Sequence, residues 1–108
     1  MESKTEEKIQ EIQILEQNLH NFLLQKQNFQ IENAEIQNAL EELDISGDEV
    51  YKVIGQVMLK TEKGKLLEDL KNREESLNIR IKTLEKQEKE LTERIESLRE
   101  DIMKSIGQ

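Results

Sequence analysis

Residues suited to catalysis or metal binding are sparse in this sequence. It contains one histidine, His20, and no cysteine, so it lacks the residues for a thiolate nucleophile or a Cys/His metal centre. The acidic residues interleave with lysine and arginine as on a solvated helix exterior, not as a convergent pair in a pocket. Gly55 and Gly64 match no phosphate-binding loop. The sequence therefore predicts no enzyme activity, no metal site and no cofactor, and His20 is interpreted as a surface residue.

Composition favours an elongated helical protein of one domain. Of the 108 residues, 37% are charged and 3% are aromatic, which is too polar for a thick globular core. The net charge of −8 comes without a basic stripe, so we expect neither a nucleic acid nor an anionic membrane as partner. No apolar run approaches the ~20 residues of a membrane-spanning helix. The polar first residues and the absence of cysteine lead us to expect a cytoplasmic protein.

Two segments carry a heptad pattern of apolar residues, which predicts helices that pack along their length. We expect these helices at 1–44 and 62–106. The seam of the first comprises Ile12, Leu15, Leu19, Phe22, Lys26, Phe29, Asn33, Ile36, Leu40 and Leu43. The seam of the second comprises Leu67, Leu70, Glu74, Leu77, Ile81, Leu84, Glu88, Leu91, Ile95, Leu98, Ile102 and Ser105.

The pattern between the two segments is that of a β-hairpin at 50–61. A cluster of helix-breaking residues at 44–48 ends the first helix. Two valine-rich runs then flank Gly55, which suits the first central position of a type II′ turn because that position needs positive φ. We predict strands at 50–54 and 57–61, with Thr61 as the N-cap of the second helix. The alternative is a continuous buried helix, which Gly55 and the valines disfavour.

Folding the chain at Gly55 sets Phe29 beside Ile81 and Ile12 beside Leu98. The predicted fold is therefore mostly α: a long antiparallel coiled-coil hairpin with a single β-hairpin at the bend, in one domain spanning 1–108. In this alignment Lys26 can pair with Glu88, and Asn33 can share hydrogen bonds with Glu74. Such polar seam residues usually fix the register at some cost in stability; the alternative is a weak point where the helices splay.

Several apolar residues are not needed by the seam. The helices lead away from the β-hairpin and cannot cover both of its faces, which predicts association of several chains through their hairpins. Near the chain ends, Ile9, Met103 and Ile106 lie beside the seam residues Ile12 and Ile102. We interpret that group as a contact surface, the alternative being a simply packed last turn. For three outward residues the sequence leaves scatter and contact equally open: Leu24, Ile31 and Ile79.

The hairpin also carries a family resemblance. The stretch Val50–Lys60, with Tyr51-Lys52 before the Gly55 turn, resembles the β-type subunits of prefoldin, as do 66–70 and 86–88. The spacer between the helices is too short for the two hairpins of an α-type subunit. The resemblance covers nearly the whole chain, although heptads alone are shared with countless coiled coils.

That resemblance implies a subunit of the archaeal-type hexamer, in which two α-type subunits join four β-type subunits. The hairpins would form its β-barrel body, through Tyr51, Val53, Ile54, Val57, Met58 and Leu59. The coiled coils would hold unfolded clients at their tips without ATP, through Ile9, Ile12, Ile14, Ile102, Met103 and Ile106, and transfer them to a group II chaperonin. The competing hypothesis is a structural coiled-coil adaptor that binds one specific folded partner.

Overall fold

A computed structural model describes residues 3–107. Its elements are helix α1 (Ser3–Ile45), strands β1 (Val50–Ile54) and β2 (Val57–Thr61), and helix α2 (Lys63–Ile106). The expected helix–hairpin–helix order is confirmed, and both strands have the predicted bounds. By contacts the chain forms two compact units, described separately below. The terminal unit combines the residues up to Asn28 with those from Lys82 onward, and the hairpin unit is Phe29–Ile81.

The two strands form an antiparallel pair closed by a tight turn at Gly55 and Gln56. Ile54 pairs with Val57, Val53 with Met58, and the register continues to Val50 opposite Thr61. Gly55 has φ +60°, and no other described residue has positive φ. Of the two central residues of the turn, only the first has a positive φ. This fits a type II′ turn and excludes type I′, in which both central residues need a positive φ.

The first residue of the loop that leads into the hairpin is tied to both helices. At the end of α1, the Ser46 N–H and hydroxyl both donate to the Leu43 carbonyl, at 3.3 and 3.0 Å. The Lys63 ammonium in the first turn of α2 donates to the Ser46 carbonyl at 2.8 Å. These bonds satisfy carbonyls that a helix end otherwise leaves open.

The predicted N-cap of α2 was wrong by one residue. The Leu66 N–H donates to the Glu62 carbonyl at 3.0 Å, so Glu62 accepts the first helical hydrogen bond. Thr61 instead ends β2, in the pair with Val50. Pairing with β1 holds Thr61 in the strand, so the next residue, Glu62, is the N-cap of α2.

The helices pack along the predicted seams, whose residues are buried or half-buried except for Ser105, which is exposed. In the terminal unit Ile12, Ile95 and Leu98 form a buried cluster that Leu15, Leu19 and Ile102 pack against, which confirms the predicted meeting of Ile12 and Leu98. In the hairpin unit the buried apolar residues are Ile36, Leu43, Val50, Leu77 and Ile81. Thr5, only 4% exposed, lies one heptad before Ile12 and extends the seam at a position the apolar pattern did not reveal.

Candidate functional site

The hairpin presents an exposed apolar surface, the hairpin patch. Its residues are Tyr51, Val53, Ile54, Val57, Met58 and Leu59, all exposed, from 48% at Leu59 to 67% at Met58. Every one was predicted from the sequence as an assembly residue. Val50 is the only buried strand residue among those described.

Strand geometry distributes the hairpin patch over both faces of the two-stranded sheet. Cross-strand partners share a face, and successive residues alternate. The pairs Ile54–Val57 and Lys52–Leu59 therefore lie on one face, and Val53–Met58 and Tyr51–Lys60 on the other. Each strand also has one unpaired edge, since the sheet has only two strands. Both faces and both edges of this sheet are thus available for contact.

A groove lies along β1 within the hairpin unit and continues the hairpin patch. It encloses about 500 Å³ between β1 and the helix residues Ala39, Glu42, Leu43, Leu66, Leu70 and Arg73. The sequence does not indicate this groove, because the heptad pattern places Leu43 and Leu70 only in the seam. A concave apolar wall beside an unpaired strand is a shape that accepts side chains of a neighbouring strand.

The residues near the chain ends fall into three states of burial. Ile12 is only 9% exposed and lies in the core, so it supports the surface from beneath and is not presented on it. Ile9 and Ile102 are half-buried. Met103 and Ile106 are 70% and 66% exposed. We call Ile9, Ile102, Met103 and Ile106 the tip patch.

Ile14, predicted with that group, is separated from it. It is 62% exposed and lies between Glu11 and Glu16, which pair with Arg94 and Arg99. Lys8 pairs with Asp101 at 3.8 Å, so Met103 and Ile106 face residues at or before the first two turns of α1. Ile14 therefore lies more than one helical turn away from the tip patch and points outward from α1.

The polar seam positions pair across the two helices. In the terminal unit, Lys26 Nζ donates to Glu88 Oε2 at 2.8 Å, with 20% and 30% of the side chains exposed. The hydrogen bond to Glu88 raises the pKa of Lys26 above its ordinary value, and burial opposes that shift only in part. This is the predicted pair, and it favours the fixed-register interpretation.

The predicted partner of Asn33 was wrong. In the hairpin unit, Asn33 Nδ2 donates to Asn78 Oδ1 at 3.2 Å instead of reaching Glu74. Arg80 stacks over the Phe29 ring in the same region, 5.8 Å from its centroid. With antiparallel helices in this register, Asn78 lies level with Asn33, whereas Glu74 lies one turn nearer the start of α2.

No described group of histidine, cysteine, aspartate or glutamate has the geometry to hold a metal ion. Within residues 3–107, neither helix contains a stretch long and apolar enough to cross a lipid bilayer.

Comparison with known proteins identifies the family. A family model described as prefoldin subunit matches residues 6–108. The chain belongs to the prefoldin family. The prefoldin subunit beta of Thermococcus onnurineus is 39% identical over 93 residues, spanning 84% of this chain and 80% of the relative. That of Methanothrix thermoacetophila is 33% identical over 107 residues, spanning 97% and 89%.

A solved prefoldin structure has the same fold. The crystal structure of the prefoldin beta subunit from Thermococcus strain KS-1 matches with a TM-score of 0.88 and 32% sequence identity, covering 96% of this chain and 93% of that one. The resemblance drawn from the hairpin residues is thereby confirmed. Membership in the prefoldin family supports the interpretation of this chain as a subunit of a hetero-oligomeric chaperone.

Proposed function

We propose that this chain is a β-type subunit of a cytoplasmic, ATP-independent chaperone that holds unfolded proteins and transfers them to a group II chaperonin. In this proposal two α-type subunits join four β-type subunits. The observation that carries it is the hairpin patch, an apolar surface on both faces of a sheet that its own helices leave open, in a chain of the prefoldin family.

Assembly through the hairpin follows from the energetics of its exposed side chains. Full burial of an exposed Val, Leu, Ile or Met side chain stabilises by about 1.5–3 kcal/mol. The side chains of the hairpin patch retain about half of their exposure, so covering each of them on assembly contributes about 1 kcal/mol. Summed over the hairpin patch this is about 6 kcal/mol per chain before the entropic cost of association. Pairing of the open edges with neighbouring strands adds main-chain hydrogen bonds.

Client holding is assigned to the tip patch. Met103 and Ile106 project from the last turn of α2, and Ile9 and Ile102 extend the apolar area toward the seam. Ile12 supports these residues from the core beneath. Methionine adapts to varied apolar partners because its side chain is unbranched and flexible. A surface of this size binds weakly, so several chains in one assembly are needed for useful avidity.

The proposed division of labour is tested with matched variants at the two patches. Val53→Asp with Met58→Asp places two charges opposite each other on one face of the sheet, and we expect it to abolish assembly. Met103→Ser with Ile106→Ser should leave assembly intact and lower client holding several-fold. Lys104→Ser, between the two tip residues, is the control for the tip variant.

Assembly is read by native mass spectrometry of complexes isolated from the native lysate, and client holding by suppression of aggregation of a denatured protein. A tip variant that fails to assemble, or a hairpin variant that still assembles, would contradict this division. Capture of one folded partner only, with no suppression of aggregation, would instead favour the structural adaptor.

A further inference from the structure

Between positions 13 and 28, the outward face of α1 carries no charged residue. The eight positions farthest from the seam in this stretch are all exposed, and none is Asp, Glu, Lys or Arg. Glu16 lies at the edge of the face beside the seam and pairs with Arg99. Besides His20, five of the eight are amides: Gln13, Gln17, Asn21, Gln27 and Asn28. The others are Ile14 and Leu24, which are 62% and 47% exposed. We call these residues the amide face.

The neighbouring helix shows that this is not the general state of the surface. Charged side chains occupy most of the outward positions of α2 in the same unit: Lys82, Lys86, Lys89, Glu90, Glu93, Glu96 and Glu100. In a chain with 37% charged residues, a run of eight outward positions without charge needs a cause. Charged side chains are costly to desolvate, so a face that is repeatedly covered and uncovered is easier to build without them.

The size of the amide face argues against a permanent partner. At 1.5 Å rise per residue, the stretch from 13 to 28 is about 24 Å long and roughly 10 Å wide, or roughly 240 Å². A stable subunit interface buries about 800 Å² per partner. The amide face is thus too small for a second copy of the chain to remain bound, and it fits an occupant held weakly and released.

The chemistry of the face matches an unfolded polypeptide. Each Asn and Gln side chain offers both a donor and an acceptor, which is what the unpaired N–H and C=O groups of an unfolded main chain need. Gln17 and Asn21 bond each other only weakly, at 3.4 Å, so both are available to exchange partners. Ile14 and Leu24 supply apolar contact, and the lack of charge lets acidic and basic segments bind alike.

We infer that the amide face is a second client-binding surface, which takes segments of unfolded polypeptide by their main chain and apolar side chains. This inference rests on the proposed function and extends the client-binding surface beyond the tip patch. Ile14 belongs to this face, which accounts for its separation from Met103 and Ile106.

The test replaces the neutral face by ion pairs without changing the net charge. Gln17→Glu with Asn21→Lys, combined with Leu24→Glu and Asn28→Lys, places each acid four residues before a base, an arrangement that supports a helix. Thr83→Glu with Gln87→Lys introduces the same pair on α2 as the control. Each variant is studied in the assembly that the full chain forms, with circular dichroism and native mass spectrometry to verify folding and assembly.

The client probe is fluorescently labelled, reduced and carboxymethylated lactalbumin, which stays unfolded. We expect the face variant to bind it about five-fold more weakly and the control to bind like the parent. A photo-crosslinking residue at position 24 should attach to the lactalbumin, and one in place of Glu93 should not.

Three results would overturn the inference. Equal affinity of parent and face variant, or equal cross-linking from positions 24 and 93, would show that the face does not touch clients. Cross-linking from position 24 to a second copy of the chain would assign the face to self-association. A parent that does not bind lactalbumin at all would overturn the proposed function as well, which distinguishes that failure from the first two.

Discussion

The ion pair within the seam allows a sharp test of how the two helices pack. Lys26 and Glu88 occupy positions that are otherwise mostly apolar, and their side chains are 20% and 30% exposed. Fully exposed ion pairs contribute about 0.2–1 kcal/mol, and hydrogen bonds to charged groups about 1.5–3 kcal/mol. The partial burial places this pair between the two classes, so we expect a coupling energy of about 1 kcal/mol.

Replacing both residues by leucine should stabilise the chain although it removes the bond. Each leucine extends the apolar seam, but it replaces a side chain that is already largely buried, so its net gain is about 1–2 kcal/mol. The lost coupling of about 1 kcal/mol is subtracted from the sum of the two gains. We expect the double variant Lys26→Leu with Glu88→Leu to have a free energy of unfolding about 1–3 kcal/mol higher than that of the parent. Either single variant should be less stable than the double variant, because it leaves one charge near the seam without its partner.

The assay is urea unfolding followed by circular dichroism at one protomer concentration, since association adds to apparent stability. The pair formed by Arg99 and Glu16 at 2.6 Å is the control, with side chains 61% and 46% exposed. Its alanine double-mutant cycle should give a coupling below about 0.5 kcal/mol. A double-leucine variant less stable than the parent, or a Lys26–Glu88 coupling no larger than that of the control, would refute this account of the seam.

Three further predictions concern single residues. Leu98→Ala should lower the free energy of unfolding, measured in urea, by about 2–5 kcal/mol because Leu98 is 1% exposed. Leu24→Ala should lower it by less than about 0.5 kcal/mol. Similar losses for the two variants would contradict the assignment of Leu98 to the core. Gly55→Ala should cost about 1–2 kcal/mol through its φ of +60°, and Gly47→Ala, which has space for a Cβ, should have little effect on unfolding. Because the pKa of Lys26 is raised, its contribution is complete below the ordinary lysine pKa and lost as pH rises through the folded one. The stability difference between the parent and Lys26→Met should therefore shrink as the pH rises above the ordinary lysine pKa of 10.5, and a constant difference would contradict it.

The sequence carried enough information for the fold because each element has its own local signal. The heptad seams located both helices, and Gly55 between two valine-rich runs located the hairpin turn and both strands. The facing of Lys26 and Glu88 followed from folding the chain at that glycine. These signals depend on periodicity and backbone sterics, which a single sequence displays directly.

The surfaces were harder to predict because exposure depends on the neighbouring helix. The heptad pattern placed Ile12 in the seam and left Ile14 outside it, but the family resemblance grouped both at the chain ends; the structure buries Ile12 and exposes Ile14. Asn33 was assigned the wrong partner because a short side chain reaches only the residue directly opposite it on the other helix, and the heptad pattern does not fix that residue. The groove beside β1 requires residues of both helices and a strand, so no local pattern indicates it.

The exposed hairpin ties the stability of its unit to assembly. An isolated two-stranded sheet is marginal in water, and here only Val50 among the described strand residues is buried. Covering the hairpin patch therefore stabilises the strands themselves, so ordering of the hairpin and association of chains are expected to occur together. The terminal unit has its own buried cluster of Ile12, Ile95 and Leu98 and does not need that contact. A variant that blocks assembly at Val53 should consequently increase hydrogen exchange of the strand amides while leaving the amides around Leu98 protected.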